Sequence, residues 1–204
     1  MSDQLKTLLV ATNNPGKLAE LRELLAGMPV LLKSLDGVKN IIEVEETGAT
    51  YIDNARLKAC GYALQAGLPA IADDSGLEVE ALSGRPGIVS ARYGGPDAGF
   101  DKKMAMLLRE IGESGVPGRN ARFVCSIAIA DREGNILHTS EGICVGTIAH
   151  SPRGDLGFGY DPLFVPVGYD LTFGELSSAI KGKISHRARA FDQIMPFFRD
   201  FIAV

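Results

Sequence analysis

Cysteine is scarce in this chain. The three present, Cys60, Cys125 and Cys144, are widely spaced, odd in number and in no CxxC pair. That gives a disulfide framework or a zinc site little support, so they read as buried small apolar residues. Long apolar runs are also lacking. The opening stretch MSDQLKTLLVATNN is apolar over far too few residues for a membrane span, and it has neither the basic start nor the small-residue cleavage pattern of a secretory signal. A cytoplasmic protein with no membrane partner is expected. Net charge is small as well, −4 from 21 Lys and Arg against 25 Asp and Glu, which disfavours wrapping of nucleic acid or binding to an anionic membrane. A phosphate ligand would need a local basic pocket. Internal repeats and low-complexity tracts are missing too.

What remains is 204 residues, 46% of them hydrophobic, enough for one compact domain or two tightly joined lobes, 1–204, with a full core. Residues 7–11 (TLLVA) read as a buried strand and 12–16 as a turn-rich break. Residues 17–26 read as a helix with Leu18, Leu21, Leu24 and Leu25 on one face. A strand is expected at 30–35 and another from Ile41, where IIEVEE alternates and ends in Glu45 and Glu46. Thr50 is the expected N-cap of a helix over 50–66 that Gly67 and Pro69 close. Residues 70–72 form a buried strand that runs into Asp73-Asp74-Ser75-Gly76. A third helix is predicted over 97–111 and a Gly-rich loop over 112–120. Strands 122–130 and 136–144 flank the turn sequence DREGN. Residues 145–150 read as a further strand and 151–169 as a structured loop. A last helix carries Phe191, Ile194, Met195 and Phe198 on one face, with Pro196 expected to kink or restart it. The order is that of a mixed α/β protein.

Four groups of residues carry possible chemistry. Thr12, Asn13, Asn14, Pro15, Gly16 and Lys17 lie where a strand hands over to a helix; backbone N–H groups at such a start bind anions, and Lys17 adds a charge. Glu45 and Glu46, with Asp73 and Asp74, stand at the expected ends of two strands, where carboxylates can converge on a hard cation such as Mg²⁺, and a remaining carboxylate can orient a water. Phe158, Gly159, Tyr160 and Asp161 form a glycine-flanked loop whose Phe158 offers a flat face to a base. Residues 181–189 (KGKISHRAR) collect four cationic groups and His186 before the last helix, against the helix dipole, so they suit an anion or carbonyl acceptors. Alone, each group also fits an ordinary turn, a solvated strand end, a core aromatic or a charged surface.

Together they supply the parts of a nucleotide site, and the sequence then resembles a known family. The blocks LLVATNNPGKLAELRELL, EETGATYIDNARLKA, LPAIADDSGLEVEAL, RPGIVSARYGG, ARFVCSIAIA, GFGYDPLFVP and ISHRARA, in this order, are similar to the inosine triphosphate pyrophosphatases, which remove deaminated purine triphosphates. The resemblance implies a long mixed central sheet with flanking helices, two lobes around a nucleotide-binding cleft, and a homodimer. It implies triphosphate contacts from Thr12 to Lys17, chiefly Asn13 and Lys17, and a metal ligand at Glu45 or Glu46. It makes Asp74 a metal ligand and the catalytic acid-base residue, Asp73 a supporting ligand and Ser75 a substrate contact. Phe158 to Asp161 would hold the base, and Lys181, His186 and Arg187 would surround base and phosphate; spacing to His186 favours Lys181 over Lys183. The cofactor implied is Mg²⁺, with Mn²⁺ equally suited to carboxylates, and the substrates are ITP, dITP or XTP. Ile180 departs from the acid usual before Lys181, which bears only on the helix start near Ser177. A nucleotide sensor that binds without cleaving, or a phosphatase or kinase, would use similar parts; the short basic segment alone is poor grounds for a nucleic-acid partner.

Overall fold

The most apolar stretch near the start forms β1 (Lys6–Val10), in which three consecutive residues, Leu8, Leu9 and Val10, are wholly buried. A strand turns successive side chains to opposite faces, so burying all three requires cover on both sides. The computed structural model describes residues 5–95 and 97–203; residues 1–4, on which the expected location partly rests, lie outside them. The cover comes from α1 (Pro15–Leu24), α2 (Tyr51–Ala66) and α5 (His186–Ala203). Between and after these run β2 (Val30–Ser34), β3 (Ala70–Val79), α3 (Phe100–Glu113), β4 (Asn120–Ala130), β5 (Ile136–Ile148), β6 (Phe164–Pro166) and α4 (Ser178–Ile184). The sheet order is β2-β1-β3-β4-β5-β6, with β1 parallel to β2 and β3, and β5 antiparallel to β6, so the expected mixed sheet with flanking helices is present. No helix among the described residues is long and apolar enough to cross a membrane.

The chain divides into two compact units. The first comprises residues 1–74, 125–142 and 190–204, the second 75–124 and 143–189. In the first, side-chain parity sorts the core. Leu8 and Val10 of β1, Ile71 of β3 and Cys125, Ile127 and Ile129 of β4 pack with Leu21 and Leu25 and with Phe191, Ile194 and Phe198 of α5. Those three α5 residues recur at i, i+3 and i+7, the spacing of one helix face. The alternate residues, Leu9, Ala11, Ala70, Ala72, Ala128 and Ala130, pack with Ala55, Ala59 and Ala63 of α2. Each large apolar side chain so buried contributes about 2 kcal/mol. The second unit has its own core, in which Met104, Leu107 and Ile111 of α3 pack with Phe123, Phe164 and Phe173.

Several expected boundaries move, each for a local reason. α1 starts at Pro15 rather than Lys17, because Asn14 caps it and proline suits the first helical position. β3 continues through Asp73 to Gly76 instead of ending before them. β5 carries on through residues expected to form a separate strand, and the loop over 151–169 includes β6. The last helix neither stops nor restarts at Pro196. Cys125 and Cys144 are buried, but Cys60 is only partly so.

The alternating stretch from Ile41 is the clearest correction, because it belongs to no strand. Its alternation serves a helix. Ile42 N–H donates to Gln65 Oε1 at 2.7 Å, Val44 N–H to the Tyr62 hydroxyl at 3.2 Å, and Lys58 Nζ to Glu46 Oε1 at 2.5 Å. Every second residue of an extended chain advances about 6.6 Å and every turn of a helix about 5.4 Å. Residues 42, 44 and 46 can therefore meet 65, 62 and 58 in turn. Gly61 lets the two run close, since a Cβ there would come within 2.7 Å of Val44.

In the second unit Gly154 has φ +75°, and a Cβ on it would collide with the Gly174 backbone; Gly84 has φ +85° with nothing within 4 Å. Both substitutions to Ala carry the left-handed penalty of about 1 kcal/mol, but Gly154→Ala must also move backbone, adding about 1–3 kcal/mol. Urea melts of the two variants should differ by that amount, and equal midpoints would contradict the close approach.

Candidate active site

Asp73 and Asp74 are consecutive residues inside β3, and both are buried. Pleating sends them to opposite faces. Asp73 shares the parity of Ile71 and meets α1, where Lys17 Nζ lies 3.2 Å from Asp73 Oδ2. Asp74 shares the parity of Ala72 and meets α2, where Asn54 Nδ2 donates to Oδ2 and Lys58 Nζ to Oδ1, each at 3.2 Å. Asn54 and Lys58 are one helical turn apart, so they reach the same carboxylate. Two adjacent acids thus acquire two separate lysines. Removing one partner of such a buried pair costs about 3–5 kcal/mol.

The two ionisable groups on the α2 side shift each other. Burial pushes the Asp74 carboxyl above its ordinary value of 3.8, and Glu46 adds to this, while Lys58, Lys17 and the Asn54 hydrogen bond pull the other way without cancelling it. For Lys58 burial opposes the charged form, but Asp74, Asp73 and Glu46 together outweigh it and the pKa is raised.

Glu46 and Glu45 separate. Glu46 reaches Lys58 beside Asp74, whereas Glu45, next along the extended segment and of opposite parity, is exposed. Gly48 completes the approach of this segment to α2: its N–H donates to Asn54 Oδ1 at 2.8 Å, and a Cβ there would sit 2.6 Å from Asp53. Asn54 therefore spends its carbonyl on the acidic segment and its amide on Asp74.

At the start of α1 the expected backbone cradle is already filled. Asn14 Oδ1 accepts from Gly16 N–H at 2.9 Å and Lys17 N–H at 3.1 Å, and Thr12 Oγ1 accepts from Asn14 N–H at 3.2 Å. The first-turn amides thus serve the cap. What this loop offers a ligand is the exposed Asn13 side chain, exposed Pro15 and the Lys17 ammonium.

The remaining candidates lie in the second unit. Asp161 is buried and closes its own loop: Oδ2 accepts from Phe158 N–H at 2.8 Å and from Lys181 Nζ. Gly157, at φ +71°, makes room, since a Cβ there would run into that carboxylate. The Lys181 ammonium lies 4.7 Å from the Phe158 ring centre and the Arg187 guanidinium carbon 5.9 Å, within cation–π range. Lys183 is exposed. Arg187, wholly buried, donates to Ser75 Oγ at 3.2 Å. His186 is buried and stacks on Phe123 at 4.7 Å, and Ser185 caps α5 through Ala188 N–H. Tyr160 faces the core, its hydroxyl donating to Ser90 O at 3.1 Å and its ring edge-on to Phe100. Gly159 lies beside it at φ +68°.

Sequence reasoning overlooked Lys58 and Asn54. The available signal was positional: on α2 they sit among alanines at helical spacing, where a polar residue is buried and must have a partner. The carboxylate oxygens of Asp74 and Glu46, which already share one cationic group, are of the type that suits a hard divalent cation. Among the described residues there is no group of three or more His, Cys, Asp or Glu placed to hold a metal. Glu46 and Asp74 would then supply the protein ligands, with water and phosphate oxygens completing the shell, as Mg²⁺ accepts.

Residues 8–197 match the model of the Ham1 family. A curated relative from Synechocystis sp., named dITP/XTP pyrophosphatase, is 48% identical over 191 residues, covering 93% of each chain. Another of the same name, from Nostoc sp., is 46% identical over 193 residues, covering 94% of this chain and 93% of its own. Among solved structures, a HAM1 protein from Coxiella burnetii superposes with a TM-score of 0.87 at 36% identity, covering 96% of this chain and all of its own.

The raised Asp74 pKa has a signed consequence. A carboxyl whose pKa is higher folded than unfolded disfavours folding when charged, so its cost is present at neutral pH and disappears as pH falls through the folded value. In metal-free protein the Asp74 carboxyl should titrate above 3.8 by carbon NMR. The stability of wild type relative to Asp74→Asn should rise as pH drops through that value; a flat difference would count against the buried, charged assignment.

Proposed function

Because the chain belongs to the Ham1 family, we propose that it hydrolyses the nonstandard purine triphosphates ITP, dITP and XTP to the monophosphate and pyrophosphate, in a Mg²⁺-dependent reaction. The observation that carries this reading is the sharing of the Lys58 ammonium by Asp74 and Glu46, with Lys17 on Asp73 from the opposite face of the same strand. A protein that only bound polyphosphate would gain nothing from acids at this point.

In the mechanism proposed, the water oxygen attacks the α-phosphorus. The bond from that phosphorus to the bridging α–β oxygen breaks, pyrophosphate leaves with the electron pair, and Asp74 accepts the proton of the water. Lys17 would offset charge on the leaving group, and Asn54 and Lys58 hold the Asp74 carboxylate in place. Glu46 and Asp74 would hold a magnesium ion, which when bound lends positive charge to the phosphate oxygens. Mn²⁺ suits the same ligands.

Base choice follows from the second cluster. Phe158 would stack on the purine, while Lys181, His186 and Arg187 make its surroundings rich in donors. A 6-keto oxygen accepts where adenine presents an amine, so hypoxanthine and xanthine are rewarded and adenine leaves donors unpaired. Ser75, bonded to Arg187, is proposed as a substrate contact beside the catalytic aspartate in sequence. A cytoplasmic homodimer with no nucleic-acid or membrane partner is the setting we propose, supported by the family resemblance and the small net charge.

Pyrophosphate release should be measured from ITP, dITP, XTP, GTP and ATP, with Mg²⁺ and with chelator. Release from the first three that requires metal and greatly exceeds that from ATP is expected. Asp74→Asn should lower it on the order of 10²–10⁴-fold while ITP binding persists. Binding of ITP without cleavage by the wild type would make the protein a nucleotide sensor instead, and orthophosphate as the product would make it a phosphatase.

A further inference from the structure

We propose that Lys58 is a resident counter-ion of the Glu46–Asp74 pair, holding the two carboxylates together before a divalent cation arrives and competing with that cation for them. The inference rests on the metal-dependent reading above and goes beyond it, because it assigns a role to a residue that supplies no metal ligand and no base.

The Lys58 ammonium is 2.5 Å from Glu46 Oε1 and 3.2 Å from Asp74 Oδ1, and the residue is only 8% exposed. A single positive charge already bridges the two oxygens that a metal would need. Asn54 holds the other Asp74 oxygen, so that side chain is fixed from both sides.

Glu46 reaches this place on a segment fastened to α2. Its segment belongs to no strand and is tied to α2 at Gln65, Tyr62 and Lys58, which lie at i+7, i+4 and i on one helix face. Lys58 is the end of that row nearest Asp74. Without a cation there, the two carboxylates would repel each other across the gap that Lys58 bridges.

A pair whose negative charge is halved by Lys58 attracts a free divalent ion less than two bare carboxylates would, so metal enters more effectively once a polyphosphate brings further negative charge. Lys58 thereby makes metal loading depend on substrate and keeps the substrate-free chain stable without metal.

The test is Mn²⁺ binding to the full-length, substrate-free protein, followed by electron paramagnetic resonance, for wild type, Lys58→Met and Lys58→Arg. Removing the competing charge should tighten Mn²⁺ binding by about tenfold or more, and the arginine variant should resemble wild type. In chelator the methionine variant should melt about 5–10 °C below wild type. Millimolar MgCl₂ should recover much of that loss while moving wild type by about 2 °C or less. Should Lys58→Met yield no folded protein, Lys58→Gln is read in the same two assays with the same expectation. Unchanged or weaker Mn²⁺ binding, or a magnesium shift no larger than that of wild type, overturns the proposal. Neither readout uses turnover: tighter Mn²⁺ binding without pyrophosphate release would sink the hydrolase reading alone, and release without tighter binding would sink this inference alone.

Discussion

Two carboxylates side by side in a buried strand do not make their close contacts with the same lysine, because the pleat points them in opposite directions. In β3 this forces Asp73 toward α1 and Asp74 toward α2, and each helix must bring its own lysine. Much of the first unit is organised around that division. The large apolar residues of one parity face α1 and α5, while the alanines of the other parity let α2 come close enough for Asn54 and Lys58 to reach the strand. The packing that builds the core is therefore also what assigns the two acids different environments.

The same division separates their chemistry. Asp73 is held by Lys17, from the turn that opens α1. Asp74 has two partners on α2 and is approached by Glu46 from a segment lying along that helix, so it alone belongs to a pair of acids around one cation. In the second unit a buried carboxylate does comparable structural work. Asp161 gathers the Phe158 backbone and the Lys181 ammonium, which fixes an aromatic face with positive charge over it.

Element types were largely legible in the sequence, because apolar period and helix stops are local signals. The TLLVA run, the Thr50 cap and the Gly67 stop all lie where the sequence places them, to within a residue. The alternation after Ile41 was legible as extended chain but not as to its partner: period two reports a chain with two distinct sides, and nothing in it says whether a strand or a helix lies alongside. The extent of β3 was obscured by DDSG, a turn-like composition that tertiary burial overrides. At the start of α1 the anion-site reasoning overlooked that Asn14 is itself the acceptor for two of the amides. Lys58 and Asn54 were hidden because helix-face burial of polar residues shows only once the partner strand is known.

The absence of a ladder between the acidic segment and any strand has a consequence for how this protein tolerates change in length. One residue inserted in β3 ahead of Asp73 would exchange the faces of both aspartates and strand each opposite the wrong helix, since register in a sheet is all-or-none. The same insertion between β2 and Ile42 leaves every strand register untouched, because residues 42, 44 and 46 are held by side chains of α2. A change of length on the approach to Glu46 thus meets only the packing of Leu35, Val38 and Ile41, whereas the spacing within AIADDSG is locked by the geometry of the sheet.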